Sequence, residues 1–169
     1  MIKIRIRQLG PFMGKLLSGE CFDSFLLEEA SITTAVAWEL NGRLNRDFYT
    51  EEEWNDKTVR PWEMVPWSEV RPLCRELIKG RRAPVRFCLV LHLKPEYIAA
   101  TLTAGSGAGP SAGSVSSLVL TIRYDGQEAD ILTGVGHSAF TLDKSEEGIW
   151  DRAVIRFLQE KEIDFDIPV

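Results

Sequence analysis

The sequence predicts an α+β domain built on a mostly antiparallel sheet, and three patterns carry that prediction. Ile2, Ile4 and Ile6 alternate with Lys3, Arg5 and Arg7, which gives a strand one apolar and one basic face. Asn41-Gly42 and Asp125-Gly126 each sit between β-prone runs, and such dipeptides are strong hairpin signals. Two apolar stripes at helical spacing complete the set: Val70, Leu73, Cys74, Leu77 and Ile78, then Trp150, Ala153, Val154, Phe157 and Leu158.

Taken in order, the opening strand leads to Phe12, Leu16 and Leu17, which fit a short helix starting at Pro11 and ended by Gly19. Residues 22–48 are β-prone, and a turn at Asn41-Gly42 would fold Glu39-Leu40 onto Arg43-Leu44. Thr50 with Glu53 forms a capping box opening at most two helical turns near Trp54. After a Pro/Trp stretch, Ser68 is expected to cap the next helix and Gly80 to stop it. Pro72 requires a place in the first turn, and Val70, Leu73, Leu77 and Ile78 are expected to face the core. Residues 84–93 are apolar on both faces, which suits a central strand. A short helix over 95–103 precedes a Gly/Ser-rich flexible loop over 104–117. Residues 118–133 form the second hairpin, Phe140-Thr141-Leu142 suits a short strand, and Asp143 caps the final helix. In the tail, Ile163, Phe165 and Ile167 alternate with Asp164 and Asp166, which suits either a last strand or a docking peptide. The order is β-α-β-β-β then α-β-β-β-β-α in one domain over 1–169, with half-units 1–60 and 61–169 alike only in that order.

The chain has 169 residues, 44% of them hydrophobic, enough for a core without metal or disulfide staples. Its longest apolar run falls far short of a membrane helix, and the first residues read as a strand rather than a signal peptide, so a cytoplasmic protein is expected. Cys21, Cys74 and Cys88 are odd in number and widely spaced, with no zinc-ligand pattern, and are expected to stay reduced. The net charge of −5 arises in the second half: residues 1–84 hold 13 basic and 13 acidic side chains, residues 85–169 hold 7 and 12. That balance disfavours broad nucleic-acid binding, which needs a net basic face.

No catalytic residue, cofactor or metal is assigned. The Gly105–Gly109 run is followed by Pro110 and then a strand, whereas a phosphate loop must lead into a helix N-terminus. His92 lies on a strand and His137 in a Gly-rich loop, neither with a carboxylate at diagnostic spacing. Two surface clusters remain. Arg71, Arg75 and Lys79 share a helix face, extended by Arg81 and Arg82 with Arg86 close behind; they can contact anions or nucleic acid, or simply solvate a helix end. Trp54, Trp62 and Trp67, with His137, can line a ligand or partner groove, or form a satellite core over a sheet edge. The reading is a non-catalytic binding or interaction module with a protein partner or self-association. The alternatives are a small-molecule-binding protein or minor enzyme at the Trp/His137 pocket, and a nucleic-acid-associated domain using Arg71, Arg75 and Lys79.

Several stretches together carry a resemblance: Trp67-Ser68-Glu69-Val70-Arg71-Pro72, Ile78-Lys79-Gly80, Ile122-Arg123-Tyr124-Asp125-Gly126, Thr141-Leu142-Asp143-Lys144 and Phe22-Asp23-Ser24-Phe25-Leu26. Over nearly its whole length the chain resembles an uncharacterised family of small proteins from anaerobic Gram-positive bacteria, which implies a free-standing bacterial domain and no particular activity. Its element order is similar to one domain of a DNA sliding clamp, a resemblance that would turn the basic helix toward DNA.

Overall fold

A computed structural model describes residues 1–107 and 114–169. The strands are β1 (Lys3–Ile6), β2 (Phe25–Thr33), β3 (Ala37–Asn41), β4 (Val65–Pro66), β5 (Arg86–Leu93), β6 (Val115–Tyr124), β7 (Ala129–His137) and β8 (Phe165–Asp166). The helices are α1 (Leu9–Leu17), α2 (Glu51–Asn55), α3 (Trp67–Ile78), α4 (Pro95–Ser106) and α5 (Ser145–Glu160). The fold is α+β, with one open sheet in the order β3-β2-β5-β6-β7-β1-β8 and β4 alongside β2. Every pairing is antiparallel. No helix among the described residues is long and apolar enough to cross a membrane.

Alternation decides the faces. Ile4 and Ile6 of β1, and Phe87, Leu89, Leu91 and Leu93 of β5, point into one core shared with α1, α3, α4 and α5. Lys3, Arg5, Cys88, Val90 and His92 lie on the opposite face, which no helix of that core covers. Strand β5 is central as expected, but only its inward face is fully buried. The tail is a last strand: β8 pairs with β1, and Arg7 bridges Asp164 and Asp166. The capping box forms, with the Glu53 N–H donating to Thr50 Oγ1 (3.2 Å) and the Thr50 N–H donating to Glu53 Oε2 (2.9 Å).

The structure corrects several local expectations. The first hairpin turns at residues 34–36 and not at Asn41-Gly42, since Thr33 pairs with Ala37 and Glu29 with Asn41. Gly42 serves close approach: a Cβ there would overlap the Leu27 carbonyl oxygen and lie 2.7 Å from its carbon. Helix α3 starts at Trp67, so Ser68 is inside it without capping and Pro72 is its sixth residue, in the second turn. Pro72 is exposed, and only one N–H of the helix is lost. Leu73 turns outward, 49% exposed, and Phe140 and Leu142 are exposed outside any strand. Helix α4 continues through Ser106, because Gly105 permits a close approach to Ile149 of α5, and Gly107 ends it with φ 64°. Strand β6 begins at Val115, inside the expected loop, and residues 108–113 of that loop lie outside the described residues.

Candidate functional site

The basic helix is less uniform than its spacing suggests. Arg71 is mostly buried, its side chain 16% exposed, and it pairs with Asp23 from the loop before β2. Lys79 caps the end of α3 and pairs with Glu76 at 2.6 Å. Arg75, Arg81, Arg82 and Arg86 are exposed, and among the described residues none of them meets a carboxylate. Beside them lies a groove of about 560 Å³ lined by Thr34, Ala35, Leu77, Ile78, Arg81, Arg82 and Val85.

The three tryptophans do not share a groove. Trp67 is fully buried in the main core, its Nε1–H donating to the Leu16 carbonyl at 3.2 Å, which ties α3 to α1. Trp54 and Trp62 belong to the excursion between β3 and β4. There the Arg60 guanidinium, buried with the residue 5% exposed, stacks 3.8 Å from the centre of the Trp54 ring and donates to the Trp54 and Trp62 carbonyls. Trp62 in turn donates to Glu96 (3.0 Å) and carries Lys94 over its ring. His137 ends β7 opposite Val115, its Nδ1 buried and, among the described residues, without a hydrogen-bond partner. Neither His137 nor any of these tryptophans lines the basic groove or the one described next.

Pattern reading missed the most convergent polar arrangement. Strand β2 carries a bulge between Leu27 and Glu29, where its outer neighbour changes from β4 to β3. The Gly42 N–H donates to the Glu28 carbonyl at 2.7 Å and holds the bulge in place. The Glu28 carboxylate then reaches His92 Nε2 at 2.5 Å and Arg43 at 2.7 Å. Partial burial pushes the Glu28 carboxyl up, but hydrogen bonds to His92 and Arg43 outweigh it and hold the group below the ordinary glutamate value. Next to this cluster is a groove of about 550 Å³ lined by Glu28, Glu29, Ser31, Glu39, Asn41, Arg43 and Cys88. The only local signals for it were a Glu-Glu pair and a histidine inside apolar strands; their partnership depends on pairing across 64 residues.

Because folding lowers the Glu28 pKa, its contribution to stability is present at neutral pH and is lost as the pH falls through and below the carboxylate range. Glu28→Gln should therefore unfold at lower denaturant than the wild type at pH 7, with the gap closing as the pH falls below the ordinary glutamate range. A gap that stays constant with pH would show that charge plays no part.

The thiols are placed differently. Cys74 is fully buried, and burial pushes its thiol up to about 11, while Cys21 and Cys88 are half-buried. Among the described residues no group of three or more His, Cys, Asp or Glu gathers that could hold a metal ion.

A family of unknown function, DUF5721, matches residues 15–166. The chain belongs to that family. No curated protein and no solved structure matches it. The DUF5721 match runs from within α1 to the last strand, so it takes in both the basic groove and the Glu28 groove.

Proposed function

We propose that this DUF5721 chain is a non-catalytic interaction module that docks an acidic segment of a partner protein at the corner formed by α3 and the following loop. The observation that carries this reading is the set of unpaired arginines. The chain has 25 acidic residues to 20 basic, yet Arg75, Arg81, Arg82 and Arg86 meet no carboxylate among the described residues. Clustered like charges repel, and a complementary partner relieves that repulsion while steering association. Leu77, Ile78 and Val85 in the groove add apolar surface for the partner to cover.

The rival readings find less support. Cys88 and His92 lie four residues apart on one strand, roughly 13 Å, too far for a nucleophile–base pair. Arg60 stacking fills the face of Trp54, and Trp67 is in the core. A clamp-like use of Arg71, Arg75 and Lys79 on DNA would need side chains that are instead paired to Asp23 and Glu76 in two cases of three.

The test is titration with a capped ten-residue Glu/Leu peptide and, in parallel, with duplex DNA across salt concentrations. The peptide should bind, and Arg81→Glu/Arg82→Glu should weaken binding at least about tenfold while changing stability by less than ~0.5 kcal/mol. Steeply salt-dependent DNA binding abolished by the same variant would replace the protein partner with a phosphate backbone. Absence of both would sink the proposal.

A further inference from the structure

We infer that β3 is a docking edge for an extended peptide of a partner protein, one that alternates basic and apolar residues and adds to the sheet as a further strand. This surface is distinct from the basic corner, and the inference stands if the reading of that corner fails.

Strand β3 terminates the sheet. Among the described residues it pairs with β2 on one side and with no strand on the other, and its residues are exposed except half-buried Leu40. In an antiparallel edge strand, alternate residues direct both N–H and C=O outward, and those groups make a ready template for a further strand. The side chains state what that strand must carry. Glu39 pairs with Ser31, and Glu29 with Asn41, so the two glutamates are diagonal neighbours on the face without helices. Diagonal Cα atoms on paired strands lie about 7–8 Å apart, and like charges there repel. Neither glutamate meets a cation among the described residues, since Arg43 and His92 are both taken by Glu28. Both line the groove of about 550 Å³ beside the edge, together with Ser31, Asn41 and Cys88.

On the opposite face the same edge is apolar. Trp38 pairs with Ile32 and is 42% exposed, and Leu40 pairs with buried Ala30. A strand laid along β3 therefore meets Glu39, flanked by Ala37 and Asn41, on one face, with Glu29 one strand further in and within reach of a long basic side chain, and Trp38 and Leu40 on the other. A second copy pairing β3 to β3 would bring Glu39 side chains together across the new edge, so charge disfavours self-pairing and favours a basic strand.

The probe is a capped ten-residue peptide alternating Lys and Val, titrated into the full chain with amide hydrogen exchange as the structural readout. Binding should slow exchange at β3 amides, weaken at least about tenfold in Glu39→Lys, and weaken less in Glu39→Gln. N-methylation of the peptide at the alternate residues whose N–H groups face β3, and in a second peptide at the other set, should between them abolish docking by either edge, because the methylated edge offers β3 no donors. Binding that survives N-methylation would reduce the edge to charge attraction and overturn the inference. Equal binding of a Glu/Val peptide, dimerisation through β3 in place of peptide binding, or no protection at β3 would overturn it as well.

Discussion

Gly42→Ala is expected to destabilise the protein by roughly 3 kcal/mol, the upper end of the overpacking range, and to separate Glu28 from His92. Backbone conformation is not the cause, since Gly42 is absent from the glycines with positive φ. Space is the cause. The new Cβ would overlap the Leu27 carbonyl oxygen, lie 2.7 Å from its carbon and 3.3 Å from the Glu28 carbonyl oxygen, all main-chain atoms that cannot rotate away. Relief requires the chain after β3 to draw back from the bulge, which lengthens the Gly42 N–H bond to the Glu28 carbonyl and strains the Val65 N–H bond to the Gly42 carbonyl. Denaturant unfolding gives the stability change, and the pH dependence assigned to Glu28 should shrink in the variant. Gly14→Ala is the control: it lies exposed in the middle of α1 and, its own helix backbone and chain neighbours aside, nothing lies within 4 Å of the added carbon, so it should stabilise by about 0.5–1 kcal/mol through helix propensity. Equal effects from the two alanines would refute the steric account.

Trp150→Ala should cost about 3–5 kcal/mol, which for a chain of this size lowers Tm by roughly 10 °C or more. Trp150 is 4% exposed in α5, packed in the one core with Ile149, Val154 and Leu158. Its Nε1–H donates to the Val119 carbonyl at 3.0 Å, so the residue both fills space and ties the helix to β6. Trp150→Phe should recover most of the loss, because the ring area returns while one hydrogen bond of about 1 kcal/mol does not. An unchanged midpoint in a soluble Trp150→Ala protein would mean that the helix face is an exposed partner surface.

The final helix was legible because its stripe, spaced at three and four residues, needs only the helix period to be recognised. Asp125-Gly126 was legible for a similar reason: φ at Gly126 is 100°, and the Asp125 carboxylate accepts from the Gln127 and Glu128 N–H groups, all within one turn. Asn41-Gly42 carries the same signal and misleads, because its glycine answers a packing demand from Leu27, fifteen residues earlier, and not a turn. The basic face misled in part as well: Arg71 has the spacing of a surface residue, but Asp23 reaches it from 48 residues away. Leu73 likewise has core spacing, yet α3 meets the core over a narrow face through Trp67 and Cys74.

From the amino-acid order alone follow the α+β class, the alternating faces of β1, the capping box at Thr50 and Glu53, the second hairpin and the core stripe of α5. Each depends on groups within about one turn or one strand of each other, where residue type and local geometry are directly linked. Only the folded chain decides that β1 lies between β7 and β8, that β2 meets β5, and that β3 is left as the edge. Strand neighbours join through backbone N–H and C=O groups that nearly every residue carries, so the pairing itself leaves no local mark. The same holds for the Glu28 cluster: a bulge of one residue turns a strand glutamate toward His92 and Arg43, and that bulge exists because three separate segments of chain meet there.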